Sequence, residues 1–335
     1  MASARRRRDW VGLRRTGRRS ALRLLSVTLL ATTLLLASCG TTTTPPVVIP
    51  RLGQGAVGAL SYAATVNGPD SWAWKISVPQ NRLLLYYWIT GDFGVDSGSP
   101  YIGTTNETDL MAKIQQQSAV YQALDPSHPV VSAFDLVDPV IEYCNSGYGP
   151  YNNYWPSDSV IQHFITLAQQ NHMLFFFDVN NSLEPISMIV DRLWKYLQEP
   201  NVELALDSEY DYTWDNGCLP GLAELHANEI NPVIDRLAAL SATGKIPPKI
   251  LILYQWYPEA LPDAQNIVLK PGVSVITCLD SVGGQDAKIA EYNTFDNIQR
   301  IQYPGYKDFY TADTPPLTPQ QILGLTPPPI MVAYQ

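Results

Sequence analysis

Residues 202–209 read Val-Glu-Leu-Ala-Leu-Asp-Ser-Glu, a short apolar run that ends in two acidic side chains, Asp207 and Glu209. Other apolar runs of similar length recur along the chain, with amphipathic stretches between them, at residues 83–89, 130–136, 173–179, 250–254, 273–279 and 330–334. Apolar strands separated by helices are typical of a parallel sheet that is covered on both faces. The sequence therefore predicts an α/β domain.

Eight strands would close this sheet into a barrel, whereas six could form an open doubly wound sheet. We place the eighth strand at residues 307–310, between helices expected around 289–298 and 319–323, and expect further helices to begin at Ser157 and Pro185. No glycine-rich phosphate loop joins a predicted strand to a predicted helix, so we expect no nucleotide cofactor. We predict a (β/α)8 TIM-type barrel that occupies residues 51–335 as a single domain.

Most of the predicted strands end at a polar or acidic residue, and in a barrel these ends meet at one mouth. The residues concerned are Asp135, Asp138, Asp178, Asn180, Asp207, Glu209, Gln255, Asp280, Asp313 and Gln335. Among the lysines near these ends, Lys307 is expected to pair with a neighbouring acid and Lys288 to lie on a solvated helix face.

Asp207 and Glu209 form the most suggestive pair, because side chains two residues apart on a strand point the same way, about 7 Å apart. Repulsion between them would raise one carboxyl pKa, as a general acid requires. We predict that Glu209 is the acid of a glycosidase-like site, that Asp207 tunes its pKa, and that Asp280 or Asp178 supplies the second carboxylate. The alternative is that the pair caps the following loop.

Aromatic residues crowd the same predicted rim, where they could stack on sugars or peptides or could pack a long loop against the barrel. They are Tyr143, Tyr148, Tyr151, Tyr154, Trp155, Tyr210, Tyr212, Trp214, Trp256 and Tyr257. The predicted ligand-binding residues are Asp135, Tyr210, Gln255, Trp256 and Tyr334. The histidines are scattered and no EF-hand-like run is present, so we expect no metal.

The N-terminus predicts export. Nine arginines and one acid, Asp9, lie within residues 1–38, where an arginine-rich start precedes an apolar run at 24–37. That run is shorter than the roughly 20 residues that span a bilayer. It ends in Leu36-Ala37-Ser38-Cys39, which resembles the lipobox of bacterial lipoproteins. We predict that residues 1–38 are a cleaved lipoprotein signal and that Cys39 carries the lipid; the alternative is an ordinary signal peptide with an incidental cysteine.

Without residues 1–38 the chain has 13 basic and 30 acidic residues and a net charge of −17. Such a surface argues against nucleic acid as a partner and against adhesion to anionic lipid, so the acyl group would hold the protein at the membrane. Residues 39–50 are rich in threonine and proline and are expected to form a tether. In the oxidising compartment we expect a disulfide between Cys144 and Cys218, with Cys278 as a buried thiol.

The chain also contains a series of motifs in a fixed order: residues 204–210 (Leu-Ala-Leu-Asp-Ser-Glu-Tyr), residues 246–256, Asp280 with Gly283 and Lys288, residues 305–307 (Gly-Tyr-Lys), and residues 317–323 followed by Tyr334-Gln335. Together they resemble a widespread group of exported bacterial proteins, often lipoproteins, of uncharacterised function. This chain has Tyr254 where the group has histidine and Ser208 where proline is more usual. The resemblance implies an exported barrel-like domain and implies no reaction.

Three functions agree with these features: a glycoside-hydrolase-like enzyme at the cell surface, a carbohydrate- or peptide-binding lipoprotein on an inactive barrel, and a structural envelope protein. The acidic pair favours the enzyme, with a carbohydrate or cell-wall ligand as its substrate.

Replacement of Cys39 by serine tests the lipid anchor. Because the lipid is attached to the thiol, Cys39→Ser is expected to release the protein from membranes or leave it unprocessed. Metabolic labelling with a fatty acid, followed by membrane fractionation, measures both effects. A wild-type protein that fractionates as soluble and carries no label would contradict the prediction.

Overall fold

Eight parallel strands close a barrel in chain order in the computed structural model, which describes residues 71–89, 107–141, 153–180, 184–208, 211–212, 220–221 and 224–335. The strands are β1 (Arg82–Ile89), β2 (Val130–Val137), β3 (Leu174–Asn180), β4 (Val202–Asp207), β5 (Lys249–Gln255), β6 (Val273–Leu279), β7 (Tyr303–Asp308) and β8 (Met331–Tyr334). Strand β8 pairs with β1, so no edge remains open. The predicted (β/α)8 TIM-type barrel is confirmed.

Strand β7 begins earlier than predicted, at Tyr303 instead of residue 307. Its first half contains Pro304 and Gly305, which interrupt the apolar pattern that marks the other strands. Close packing favours glycine at this position, because a Cβ atom at Gly305 would lie 3.0 Å from the side chains of Cys278, Ile276 and Met331. The prediction of this strand at 307–310 was therefore wrong in its start.

In the described parts of the chain, six α-helices connect the strands: α1 (Glu107–Leu124), α2 (Asp158–Gln170), α3 (Ile186–Leu197), α4 (Ala227–Ser241), α5 (Gln285–Gln299) and α6 (Pro319–Leu323). As predicted, α2 starts after Ser157, whose side chain accepts a hydrogen bond from the backbone N–H of Val160, and α3 starts after Pro185. The connection from β5 to β6 is described throughout and contains 3-10 turns instead of an α-helix, at Pro258–Ala260 and Ala264–Asn266.

Alternate residues of each strand face opposite sides of the barrel wall. One set forms the barrel interior, with Leu83, Leu85, Ala133, Leu174, Phe176, Ala205, Ile252, Ile276, Met331 and Ala333. The other set packs under the helices, with Leu84, Phe134, Phe175, Phe177, Leu204, Leu251, Leu253 and Val332. Both sets are apolar, which explains why the strands are continuous apolar runs in the sequence.

A buried ion pair lies at the N-terminal end of the barrel. The ammonium group of Lys249 donates to the carbonyl oxygens of Glu199 (2.8 Å) and Val202 (2.7 Å), and it lies 3.9 Å from the carboxylate of Glu203. Glu203 in turn accepts from the backbone N–H of Ile250 at 2.7 Å. Burial raises the pKa of Glu203 to about 7, although Lys249 opposes the shift. This end of a TIM barrel serves stability, and these contacts fit that role.

Two short antiparallel ribbons follow strands at the C-terminal end. Val140–Ile141 pairs with Asn153–Tyr154 after β2, and Asp211–Tyr212 pairs with Pro220–Gly221 after β4. Among the helices within the described ranges, none combines the length and the apolar character needed to cross a bilayer.

Replacement of Gly305 by alanine tests the tight interior. The added methyl group would lie in unusually close contact with three side chains, so Gly305→Ala is expected to lower the free energy of unfolding by about 1–3 kcal/mol. Urea denaturation measures the loss. Gly283→Ala is the control, because its Cβ would lie 3.6 Å from the nearest neighbouring atom, an ordinary contact. Equal stability of the two variants would refute the explanation for β7.

Candidate active site

Every strand places one polar, inward-facing side chain at the C-terminal mouth. In strand order these are Tyr87, Asp135, Asp178, Asp207, Tyr254, Asp280, Lys307 and Gln335. Asp280 and Gln335 lie one residue beyond their strands and extend the ladder, since their N–H groups donate to the carbonyl oxygens of Gln255 and Asp308, each at 3.0 Å. We call these eight residues the mouth cluster. All four aspartates and the lysine are at most 1% exposed.

Lys307 is the cation of the mouth cluster. Its ammonium group donates to a carboxylate oxygen of Asp280 at 3.1 Å. Three aromatic rings surround the same nitrogen, with ring centres at 4.5 Å for Tyr254, 5.3 Å for Tyr87 and 5.4 Å for Phe309. Carboxylates and aromatic faces both stabilise a buried ammonium group. The expectation that Lys307 pairs with a neighbouring acid is confirmed.

Asp135 is held in place by a tyrosine. The hydroxyl group of Tyr254 donates to Asp135 Oδ2 at 2.6 Å. Burial raises the pKa of Asp135 to about 6; the Asp207 charge adds to the rise, while Lys307 and the Tyr254 hydrogen bond oppose it. Asp135 is therefore ionised in a neutral solution and protonated in a moderately acidic one.

Asp178 differs from its neighbour. Burial raises its pKa well above the ordinary value, and the charges of Asp135, Asp207 and Asp280 raise it further against the effect of Lys307. Neither of its carboxyl oxygens has a hydrogen-bond partner within the described residues. Asp178 therefore holds its proton to a higher pH than an ordinary carboxyl group, so the mouth cluster combines carboxyl groups of different environments, as acid–base catalysis requires.

The predicted site residues divide into three groups. Asp135, Asp178, Asp207 and Asp280 are brought together. Glu209 and Tyr210 lie outside the described residues, so their predicted roles stay predictions. The backbone alternation directs the third group, Gln255 and Tyr334, away from the mouth.

Gln255 and Tyr334 were expected to bind ligand at the mouth, and the structure places both on the outer face of the barrel wall. Gln255 lines a small cavity with Leu279, Tyr292 and Phe295, and the hydroxyl oxygen of Tyr334 lies 2.6 Å from that of Tyr121 on helix α1. Each follows an inward residue by one position, which fixes its outward direction.

The predicted aromatic rim is only partly described. Trp256 is 8% exposed and packs edge-on against Phe309, with 6.2 Å between ring centres, so it offers no open stacking surface. Tyr154 packs against the apolar cluster of Tyr87, Val137 and Val140 beside the mouth, and the guanidinium group of Arg192 lies 4.0 Å from the ring centre of Trp155. The other predicted rim residues, apart from Tyr257 and the backbone of Tyr212, lie outside the described ranges.

Lys288 is buried, contrary to the expectation that it lies on a solvated helix face. It is 1% exposed, and its ammonium group donates to Asp313 Oδ2 and to the carbonyl oxygen of Lys307, both at 2.6 Å. It also lies 5.3 Å from the ring centre of Phe309, which Lys307 contacts as well. Asp313 is therefore paired outside the mouth cluster.

Cys278 is a free buried thiol, as predicted. Cys39, Cys144 and Cys218 lie outside the described residues, so the lipid site and the disulfide stay predictions. Tyr87 and Tyr254 were not among the predicted site residues, although strict alternation along the apolar runs could have identified them. Within the parts of the chain that the structure covers, no three His, Cys, Asp or Glu side chains form a group that could hold a metal ion.

Comparison with known proteins adds no assignment. No family model matches the chain, and no curated protein matches it either. The resemblance to an exported family therefore stays a prediction, and the function has to be inferred from the mouth cluster itself.

Replacement of Asp178 by asparagine tests the protonated carboxyl. Because the pKa of Asp178 is raised on folding, the unfolded chain releases this proton first, and wild-type stability falls as pH rises above the ordinary value of 3.8. Asp178→Asn is expected to lack this penalty. Its free energy of unfolding should therefore rise relative to wild type by up to about 1.4 kcal/mol for each pH unit above 3.8. Urea denaturation across the pH range measures it.

Asp158→Asn serves as a control, because the pH dependence of its effect on stability is expected to have the opposite sign. Hydrogen bonds from Lys195 and Tyr196 lower the pKa of Asp158, so its contribution is present at neutral pH and is lost as pH falls. If Asp178→Asn shows no pH-dependent gain over wild type, the carboxyl group is ionised in the folded protein and the assignment fails.

Proposed function

We propose that this protein is a glycoside-hydrolase-like enzyme, anchored through lipid on Cys39 at the extracytoplasmic side of the membrane. The observation that supports it is the mouth cluster, in which Asp178, a buried carboxyl group with a raised pKa, lies beside Asp135 and Asp207. Glycosidases work with two carboxyl groups of opposite protonation state, and TIM barrels carry their catalytic groups at this end.

In this proposal Asp178 donates its proton to the oxygen of the glycosidic bond as that bond breaks. Asp135 is the second carboxylate: it takes a proton from the water molecule whose oxygen bonds to the sugar carbon, and the hydrogen bond from Tyr254 fixes its orientation. The positive charge that develops on the sugar is stabilised by the ionised carboxylates, while Lys307 limits their mutual repulsion. Glu209, two residues beyond Asp207, remains the alternative acid that the sequence predicts.

Access to the mouth requires movement, because its charged side chains are at most 1% exposed. Within the described residues, Tyr154 packs against the cluster of Tyr87, Val137 and Val140, and Trp256 packs against Phe309. In this proposal, side chains such as these separate to admit the sugar. Closure over the substrate would then exclude water, which strengthens electrostatic interactions in the site.

A panel of glycans and cell-wall fragments tests the activity, with product release and binding scored separately. The wild-type protein is expected to release reducing ends from at least one glycan. Asp178→Asn is expected to lower turnover by about 10²–10⁴-fold with ligand binding retained, since the amide cannot donate a proton. Glu209→Gln compares the alternative acid, and Asp191→Asn on the surface is the control.

The pH dependence gives an independent readout. Turnover is expected to rise as pH increases through about 6, the pKa of Asp135, and to fall at higher pH as Asp178 loses its proton. Binding of a glycan without any turnover would instead support the non-catalytic binding protein. No binding and no turnover over the whole panel would leave the structural envelope role.

A further inference from the structure

We propose that the sugar recognised at the mouth cluster carries a free amino group, so that the substrate class is a cationic amino sugar. This inference rests on the proposed function, since it names the ligand of the same site. Three features of the described residues support it: the imbalance of charge, the unpartnered oxygens, and the surroundings of Lys307.

The charge imbalance comes first. Within the described residues, the mouth cluster holds four aspartates and a single lysine, all at most 1% exposed. In the proposed mechanism Asp178 is protonated; when the other three aspartates are ionised, their negative charge exceeds the positive charge of Lys307 in a place shielded from water, which is unfavourable. The proton of Asp178 lessens this excess in the free protein, and a cationic ligand would lessen it further.

The second feature is the set of oxygen atoms that could receive a ligand. Neither carboxyl oxygen of Asp178 and only one of Asp135 has a hydrogen-bond partner within the described part of the chain. An ammonium group has three donors and no acceptor, so it matches a group of carboxylate oxygens. A neutral hydroxyl group could bond to one of them but would leave the excess negative charge in place.

Lys307 shows what surroundings the mouth provides for an ammonium group. Its nitrogen contacts Asp280 and lies over the rings of Tyr254, Tyr87 and Phe309. The same chemistry, carboxylates combined with aromatic faces, binds both cations and the apolar faces of sugar rings. An amino sugar presents both features in one molecule.

An acetylated amino sugar lacks this match. Its amide is neutral, so it would leave the carboxylates uncompensated and would add bulk to a closed site. The acidic surface of the chain also favours a cationic ligand, because a net charge of −17 without residues 1–38 attracts cationic polymers and repels anionic ones.

Calorimetry with three trisaccharides of one backbone tests the proposal: the free-amine, the N-acetylated and the neutral hydroxyl form. The purified protein is used at a pH where the amine is protonated. The free-amine form is expected to bind at least tenfold more tightly than either other form. Because the ammonium group pairs with the ionised form of Asp135, its binding should weaken as pH falls below about 6, the pKa of Asp135, which is measured by repeating the titration at lower pH.

Two variants locate the effect. Asp135→Asn is expected to remove most of the preference for the free amine and its dependence on pH. Asp138→Asn is the matched control, because Asp138 is also fully buried with both oxygens unpartnered among the described residues, but its charged neighbour is Arg192 and not the mouth cluster. It is expected to keep the preference. If Asp135→Asn does not fold, the pH dependence of binding by the wild-type protein decides the question.

The outcomes separate the two proposals. Equal or tighter binding of the neutral or acetylated trisaccharide, with hydrolysis of any glycan in the panel, overturns the amino-sugar inference and leaves the hydrolase intact. Free-amine binding that persists in Asp135→Asn and disappears in high salt places the ligand on the acidic surface, which also overturns it. Tight free-amine binding that is lost in Asp135→Asn, without hydrolysis of any glycan, supports the ligand class and refutes the enzyme.

Discussion

The closed barrel imposes one constraint on every strand: alternate residues must face a narrow interior that water does not reach. Below the mouth the narrow interior is filled by small and apolar side chains, and a methyl group at Gly305 would lie in close contact with three of them. At the C-terminal end the same alternation directs one polar residue from each strand to the barrel axis. The carboxyl groups are therefore neighbours because of the backbone geometry, and their altered acidity follows from that proximity and from burial.

The charged groups at the two ends of the barrel are balanced differently. At the N-terminal end Lys249 has backbone carbonyl partners and a nearby acid, so the charges there are compensated within the fold. At the mouth, acids outnumber the only lysine, and Asp178 has no partner among the described residues. An arrangement that costs stability and persists at one end of the barrel is typical of a functional site. This contrast supports a chemical role for the mouth and a structural role for the other end.

Much of this could be predicted from the sequence, because strands that are apolar on both faces form visible runs. Seven strands were located to within one or two residues, and their acidic ends correctly identified four members of the mouth cluster. Helix α1 was not predicted, since its buried residues, Leu110, Ile114 and Tyr121, are separated by polar ones. Gln255 and Tyr334 were misplaced because the end of an apolar run does not reveal which face a residue takes. That information lies in the alternation along each strand, which a run of apolar residues conceals.

Phe309 has a consequence for how the barrel wall behaves. The ammonium groups of Lys307, inside the wall, and Lys288, outside it, lie 5.4 Å and 5.3 Å from the centre of this one ring, and Lys288 also bonds to the backbone oxygen of Lys307. A change of charge in the mouth therefore alters the electrostatic potential at the buried ion pair of Lys288 with Asp313. The other carboxylate oxygen of Asp313 accepts from the N–H of Gly283 in the loop after β6. This buried pair responds to the charge of the interior without any movement of the strands.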